Sequence, residues 1–304
     1  MKLLLIGIFF ITLSTLTGSA FDTIAKYSSK LSFEWYHLFS LGNTFAIVVF
    51  LFFLNFVGGI KKHLVLKKKE NYFIPIARGL AFIPIFILVF IALKNIPINL
   101  YTTLLMTTPF FVIIFSKLLQ NEKLNYLTWF SVFIGFIGVL LVIKPSANYF
   151  GILIIAPIIV AMFNGFNFII IKKFSNQASY YAYTFYYMLP ITIFSYFFFF
   201  NNFAMPTIAE LIMFFSAGVF AMGSILLWTA AFHIAGNYSS TLGPFLFTQI
   251  IWAAIFGNIL FSETLDLISL FGIVIIICSG TLAMYNNKSI YIYSYLIQNT
   301  FYLV

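Results

Sequence analysis

Apolar segments follow one another along almost the whole chain, and short links between them carry most of its charged residues. A membrane-spanning helix needs about 20 predominantly apolar residues, and the breaks between the segments give ten candidate spans. They cover residues 3–21, 33–57, 73–93, 97–119, 126–143, 150–171, 180–200, 208–233, 237–261 and 266–284. With 62% hydrophobic and 8% charged residues, the chain has too little polar surface for a water-soluble globule. The sequence therefore predicts an all-α polytopic membrane protein.

The two ends of the chain need separate interpretation as signal peptide, span or tail. Lys2, the apolar stretch after it and the small residues 18–20 resemble a signal peptide. We expect this segment to stay in the protein as the first span, because the second half contains its counterpart. The aromatic stretch from Asn286 to Val304 is short for a span, and it stays unassigned.

The charge of the chain indicates its orientation rather than a nucleic-acid partner. The net charge is +9, and the lysines cluster in the links between apolar segments, where cations favour the cytoplasmic side. A cytoplasmic N-terminus places eleven lysines inside and four outside. The abundance of Lys, Asn, Ile, Phe and Tyr is typical of an AT-rich bacterial genome. We therefore expect a multi-pass protein of a bacterial inner membrane with both termini in the cytoplasm.

The two halves of the chain resemble each other. Matching positions lie at nearly constant offsets: Gly18 with Gly165, Lys26 with Lys173, Ser28 with Ser175, Glu122 with Glu263, and Leu124 with Leu265. Each unit has five spans, an odd number, so the second copy enters the membrane inverted. The predicted architecture is ten transmembrane helices as two inverted five-helix repeats, residues 1–144 and 145–284, followed by a tail at 285–304. In secondary transporters of this plan, the substrate site lies near the membrane midplane between the halves.

The repeat also carries a family resemblance. It rests on two stretches, LKNIPINLYTTLLMTTPFFVIIFSKLLQNEKL (93–124) and GNYSSTLGPFLFTQIIWAAIFGNILFSETLDLISLFGIVIIICSGTLA (236–283), which resemble EamA-type carriers of the drug/metabolite transporter superfamily. Within that superfamily, SAFDTIAKYSSKLSFEWYHLF (19–39) and IARGLAFI (76–83) are similar to S-adenosylmethionine uptake carriers of rickettsia-like bacteria. The resemblance covers nearly the whole chain. It implies an alternating-access carrier with S-adenosylmethionine as its substrate.

Arg78 is the only arginine of the chain and lies five residues into the third predicted span. At 1.5 Å per residue it sits about 7–8 Å below the start of the helix, a depth from which a long side chain still reaches the headgroups. It is therefore either an anchor at the interface or a substrate ligand, because a guanidinium binds a carboxylate with two parallel hydrogen bonds. The sequence leaves both interpretations open.

Two carboxylates bracket the link between the first two spans. Asp22 follows Ser14 and Gly18 at helical spacing, so we expect it to face the bundle. It either counters the charge of a cationic substrate or pairs with Lys26, four residues further on. Glu34, at the other end of the link, is the second candidate for a cationic substrate group.

Glu122 and Glu263 occupy equivalent positions before the fifth and tenth spans. A carboxylate there stabilises the free N–H groups and the dipole of a helix start, so we expect a structural role for both. Pro109 and Pro244 interrupt the fourth and ninth spans. Broken helices of this kind free backbone carbonyls and often line transporter sites.

Polar and aromatic side chains inside the spans complete the candidate substrate site. Amides in hydrocarbon either bind a facing helix or line a wet cavity, and aromatic rings offer their faces to a sulfonium or an adenine. The candidates are Asn164 and Asn167 in the sixth span, Gln249 and Trp252 in the ninth, Trp228 in the eighth and Tyr101 in the fourth. Tyr183 and Tyr187 have the same chemistry, but 21% of the chain is aromatic, and we predict packing or lipid-facing roles for them.

The sequence contains no motif of a soluble enzyme, no phosphate-binding loop and no metal-ligand spacing of histidines or cysteines. We expect a carrier without cofactor or metal, whose partners are a small-molecule substrate and the lipid bilayer, with no nucleic acid; a homodimer stays open. No carboxylate lies clearly in mid-span, which favours exchange over proton coupling. The alternatives are a carrier or exporter of amino acids or another small metabolite, a polytopic membrane enzyme, or a channel.

Overall fold

The structure is a computed structural model that describes residues 2–28, 34–95, 98–122, 124–144, 152–201, 206–261 and 266–301. Helices make up nearly all of this part of the chain, and it contains no strand. The α-helices are α1 Lys2–Ser28, α2 Trp35–His37, α3 Asn43–Phe56, α4 Ile60–Leu64, α5 Phe73–Asn95, α6 Ile98–Leu105, α7 Thr108–Gln120, α8 Tyr126–Ile143, α9 Ile155–Lys173, α10 Tyr180–Asn201, α11 Ile208–Ala235, α12 Ser239–Leu242, α13 Thr248–Phe261 and α14 Leu267–Phe301. Other helical turns are a π-helical turn at Leu38–Gly42 and 3-10 turns at Lys69–Tyr72, Ile152–Ile154, Gly236–Tyr238 and Gly243–Phe247.

Eight segments of the described residues are long and apolar enough to cross a membrane. One of them, Ile208–Leu260, has 53 residues and covers two of the predicted spans. Helix α5 coincides with the third predicted span. The all-helical, multi-pass architecture is confirmed, and the number of ten spans stays a prediction. At the C-terminus α14 continues to Phe301, so residues that the sequence left unassigned extend the last helix.

The fourth and ninth predicted spans are broken helices. In the fourth, α6 ends at Leu105 and α7 begins at Thr108, with Pro109 in the first turn of α7. Proline is tolerated there because the first N–H groups of a helix have no intrahelical partner. In the ninth, a 3-10 turn that contains Pro244 separates α12 from α13. A Cβ built on Gly243 would lie 3.6 Å from Pro109, so the two breaks meet between the halves.

The two halves pack against each other through equivalent helices. Helix α1 of the first half packs against α11 and α13 of the second, and α9, its counterpart, packs against α5 and α7 of the first. The last helices of the halves, α8 and α14, pack against each other. Gly138 and Gly272 lie at their crossing, where a Cβ on either would meet the carbonyl oxygen of the other at 2.8 Å. This exchange of contacts is the arrangement expected of a two-repeat carrier.

Candidate functional site

Arg78 lies inside the helix bundle, and its neighbour Gly79 explains why. A Cβ on Gly79 would lie 2.7 Å from the carbonyl oxygen of Tyr187 and 2.9 Å from the ring of Pro190, so only a glycine lets α5 approach α10 this closely. The side chain of Arg78 is 6% exposed. An interface anchor keeps its charge in water, whereas this guanidinium is buried between helices.

Four side chains from three helices surround the guanidinium. Arg78 Nε donates a hydrogen bond to Oδ1 of Asn167 on α9. The guanidinium carbon Cζ lies 5.2 and 5.1 Å from the ring centres of Tyr183 and Tyr187 on α10, and 5.7 Å from the ring centre of Trp228 on α11. These are cation–π distances, and such contacts are worth about 0.5–2 kcal/mol each. We call Arg78, Asn167 and these three rings the arginine cage.

The two terminal nitrogens of Arg78 have no acceptor. Nη1 and Nη2 are both buried, and neither makes a hydrogen bond to any residue that the structure describes. Within the same part of the chain the one ion pair joins Lys144 to Asp266 instead. A buried cation is costly unless an anion or hydrogen bonds compensate it. The arginine cage therefore presents a fork of two donors that an anionic group would satisfy.

The rings of the cage are themselves held in place. Trp228 packs edge-on against Phe168 with ring centres 4.8 Å apart, and Phe168 stacks on Phe232 at 4.6 Å. The hydroxyl of Tyr183 donates a hydrogen bond of 2.8 Å to the carbonyl oxygen of Phe174. Side chains fixed in this way offer their faces to the guanidinium without further loss of rotamer freedom.

Tyr183 and Tyr187 belong to the cage although the sequence predicts packing roles for them. A signal for their position was present, because residues four apart on one helix share a face. Because aromatic residues are abundant along the chain, this spacing does not distinguish the two tyrosines from other pairs. Only the packing of α10 against α5 shows which face meets the arginine.

A second polar group joins α1 to α13. The Asp22 carboxylate accepts a hydrogen bond of 2.9 Å from Gln249 Nε2, and the backbone carbonyl of Gln249 accepts one of 3.0 Å from Ser19 Oγ. Tyr101 on α6 is buried, with 7% of its surface exposed. Nearly one turn beyond Gln249, Trp252 Nε1 is buried without an acceptor among the described residues. Asp22 is exposed and contacts α13 through Gln249, so its predicted direction into the bundle stays a prediction.

Other candidates lie apart from these two groups. Glu34 is exposed at the start of α2, and its side chain does not cap that helix. Asn164 is half-buried on α9, nearly one turn before Asn167. No described contact joins either residue to the arginine cage. Glu263 and the side chain of Lys26, the alternative partner of Asp22, lie outside what the structure describes.

Glu122 binds the opposite half of the molecule rather than the start of the fifth span. Its carboxylate accepts a hydrogen bond of 3.2 Å from the backbone N–H of Ser240 and a second from the hydroxyl of the same residue. Asn125, not Glu122, precedes the first residue of α8. Burial raises the pKa of Glu122, and the hydrogen bonds from Ser240 only partly offset this. The role is structural in kind, but it links the two halves.

The chain is similar to known membrane transporters along nearly its whole length. The model of the EamA-like transporter family matches residues 5–144 and 150–285. An S-adenosylmethionine uptake transporter of Rickettsia bellii is 28% identical over 291 residues, which cover 93% of this chain and 94% of the relative. A pseudopaline exporter of Pseudomonas aeruginosa is 22% identical over 91% of this chain and 95% of the relative.

Two further likenesses are to a partial relative and to a solved structure. A riboflavin transporter of Vibrio cholerae is 29% identical over 150 residues, about half of each chain. A solved crystal structure superposes with a TM-score of 0.75 at 15% sequence identity, covering 93% of this chain and 98% of the other. At that identity the likeness shows the fold alone. The relatives carry substrates of different chemistry, so the matches alone do not select one.

Proposed function

Because the chain belongs to the EamA-like transporter family, we propose that it takes up S-adenosylmethionine by exchange through alternating access. The family and the relatives that are named as transporters indicate a membrane transporter of a small metabolite. The observation that carries the proposal is the pair of buried Nη atoms of Arg78, which have no hydrogen-bond partner among the described residues. They match the α-carboxylate of this substrate, which accepts two parallel hydrogen bonds.

The positive groups of the substrate need a different partner, because the arginine repels them. The α-amino group shares its carbon with the α-carboxylate at Arg78, so it cannot reach Asp22, which lies near the opposite end of α1. We assign Asp22 to the path by which the cationic substrate enters the site. Asp22 is exposed and uses Gln249 as its hydrogen-bond donor, which leaves acceptor capacity on the carboxylate. Glu34 is exposed as well and supplies a second negative charge along the path of a cationic substrate.

The adenine needs ring faces and hydrogen bonds. Trp228 and Tyr101 supply faces for stacking, and both helices that carry them contact α9. Donors and acceptors for the ring nitrogens come from Gln249 and from Nε1 of Trp252, which has no acceptor among the described residues. A mostly aromatic site with a few convergent polar groups is typical of small-molecule binding.

Both polar groups bridge the two halves, which suits alternating access. Arg78 belongs to the first half, whereas Asn167 belongs to the second. Likewise Asp22 belongs to the first half and Gln249 to the second. When the halves rock about the substrate, these contacts must change together. A ligand that binds one arrangement better than the other drives the exchange.

The distribution of lysine supports an orientation of the chain in the membrane, whereas the gradients of the exchanged solutes set the direction of net transport. Excess lysine in the links on one side places both termini in the cytoplasm of a bacterial cell. The arginine cage then lies toward the cytoplasmic side, because Arg78 is near the start of α5. Uptake by exchange releases S-adenosylmethionine into the cytoplasm and returns a related internal metabolite.

Uptake of labelled S-adenosylmethionine into proteoliposomes tests the proposal. We expect saturable uptake by the wild-type protein, competition by S-adenosylhomocysteine, and background uptake by Arg78→Ala and Arg78→Lys. Lysine keeps the charge but not the two parallel donors. Asn164→Ala is the matched control for a polar change in the same region, and its uptake should fall far less. Absence of saturable uptake by the wild-type protein would contradict the proposal.

A further inference from the structure

Asn167 accepts a hydrogen bond from Nε of Arg78 and leaves the two Nη atoms of the guanidinium for a ligand. A guanidinium binds a carboxylate either side-on, through Nε and one Nη, or end-on, through Nη1 and Nη2. The hydrogen bond from Arg78 Nε to Asn167 Oδ1 closes the side-on mode. Nη1 and Nη2, both without partners among the described residues, leave the end-on mode open.

Three aromatic rings surround the same guanidinium. Tyr183, Tyr187 and Trp228 hold Cζ of Arg78 at 5.1–5.7 Å from their centres, so three ring faces limit its movement. Tyr187 and Trp228 also touch each other at a ring distance of 5.8 Å and an angle of 89°, which makes a corner. Within this corner the guanidinium has one hydrogen-bonded side, toward α9, and one unsatisfied end.

We infer that Asn167 is a positioning residue that aims both Nη atoms of Arg78 at a single carboxylate, and that it does not itself bind the substrate. Asn167 is 2% exposed, so its side chain has little surface for a ligand. No described residue of the aromatic corner is a second cation, so the ligand group is a singly charged carboxylate rather than a phosphate. The identity of the substrate in this inference rests on the proposed function. The chemistry of the ligand group that binds the Nη atoms rests on the arginine cage alone.

The single arginine of the chain allows a direct test. Phenylglyoxal condenses with the two Nη atoms of a guanidinium, so wild-type protein should gain one adduct, and Arg78→Lys should gain none, in the mass of the intact protein. Ligands that bind end-on to Nη1 and Nη2 should slow the formation of this adduct. We expect protection by S-adenosylmethionine, S-adenosylhomocysteine and other substrate-like carboxylates, and none by 5′-methylthioadenosine, which has the nucleoside and no carboxylate.

Two variants of Asn167 separate positioning from packing. In Asn167→Ala the dissociation constant of the carboxylate ligands, measured from their protection against phenylglyoxal, should rise by about tenfold or more. This is the loss expected for a hydrogen bond to a charged group. Asn167→Asp keeps an acceptor for Nε and should melt at a higher temperature, yet its charge cancels that of Arg78 and should abolish protection. Asn164→Ala, nearly one turn earlier on α9, should behave like the wild type.

The experiment distinguishes a failure of the proposed substrate from a failure of the proposed role of Asn167. Protection by another carboxylate but not by S-adenosylmethionine would overturn the proposed substrate and leave the role of Asn167 intact. Unchanged protection in Asn167→Ala, equal protection by 5′-methylthioadenosine, or protection in Asn167→Asp would overturn that role. A wild-type protein that gains no adduct, or that no carboxylate protects, would overturn it as well, because its Nη atoms would not be available to a ligand.

Discussion

The Nε atom of Arg78 donates a hydrogen bond to Oδ1 of Asn167, 89 positions later in the chain, and so joins the third span of the first half to the first span of the second. The contact satisfies one nitrogen of the guanidinium, and Nη1 and Nη2 are buried without hydrogen-bond partners in the part of the chain that the structure describes. An uncompensated buried charge destabilises a fold. Residues that cost stability in this way are typical of functional sites.

Replacing Arg78 by methionine separates function from stability. Methionine fills much of the same volume and removes a buried charge, so we expect the melting temperature of the purified protein to stay the same or to rise. Uptake in proteoliposomes should fall to background at the same time. A variant that melts well below the wild type would show that the arginine holds the helices together.

Tyr187 is expected to act through its ring rather than its hydroxyl. Tyr187→Phe keeps the ring face 5.1 Å from the guanidinium and should transport nearly as well as the wild type. Tyr187→Leu loses the cation–π contact, worth about 0.5–2 kcal/mol, so KM for the substrate should rise severalfold. Equal losses in both variants would instead assign the role to the hydroxyl. Kinetics of uptake at several substrate concentrations distinguish these results.

The stability of the protein should depend on the charge of Glu122. Burial raises the pKa of this carboxyl, so the folded state binds its proton more readily than the unfolded state, and stability falls as pH rises through the folded pKa. Glu122→Gln keeps an acceptor for Ser240 and carries no charge. We expect it to melt at or above the wild-type temperature in neutral and alkaline buffer, with the difference shrinking in acidic buffer.

Glu122→Ala provides the contrast. It leaves the N–H and hydroxyl of Ser240 without their acceptor, which costs about 1–3 kcal/mol. Its melting temperature should therefore lie below that of Glu122→Gln at every pH. If the two variants melted together, the link between the halves through Ser240 would contribute nothing to stability.

The crossing of α8 and α14 should not tolerate a side chain at Gly138. A Cβ there would lie 2.8 Å from the backbone oxygen of Gly272, and the helices must separate to admit it, at a cost of about 1–3 kcal/mol. Gly223 is the matched control, since a Cβ at that helical position meets nothing within 4 Å. Gly223→Ala should be neutral or stabilising by about 0.5–1 kcal/mol. Chemical or thermal unfolding in detergent measures both.

Asp266 has two separable roles at the start of α14. It accepts a hydrogen bond of 3.0 Å from the backbone N–H of Ser269 and forms an ion pair with Lys144. The hydrogen bond from Lys144 holds the pKa of Asp266 well below its ordinary value, so this contribution is present above the unfolded pKa and is lost as pH falls. Because the pair is exposed, high salt should screen it.

Asn and Ala variants at this position should respond differently to salt. Asp266→Asn keeps the acceptor for Ser269, so its small deficit in melting temperature should vanish in high salt. Asp266→Ala also loses the cap of α14, and its deficit should persist. A deficit of Asp266→Asn that salt does not change would contradict an electrostatic role for Lys144.

Much of the fold could be predicted because its signals are local. Long apolar segments can only be helices in a membrane, and Pro109 and Pro244 mark breaks that need no knowledge of the partner helix. The odd number of spans in each repeat sets the inversion. The exact span count is less accessible, since a link as short as residues 234–236 merges the eighth and ninth spans into one helical run.

The candidate site was harder to predict because its contacts join distant parts of the chain. Depth along α5 left Arg78 between two roles, and the approach of α10 over Gly79 decides its burial. The partner of Glu122 is Ser240 in the other half, whereas a local pattern points to the nearest helix start. Tyr183 and Tyr187 are two aromatics among many, and only the packing of α5 on α10 distinguishes them.

Counterflow in proteoliposomes tests three claims together: that the protein is a carrier, that S-adenosylmethionine is its substrate, and that Arg78 binds this substrate. Vesicles loaded with unlabelled S-adenosylmethionine should take up the labelled compound faster, and transiently to a higher level, than empty vesicles. Arg78→Lys should abolish the difference, while Asn164→Ala should retain it. Uptake by the wild-type protein that does not depend on the internal substrate, or full counterflow by Arg78→Lys, would contradict a carrier that holds its substrate through the arginine cage.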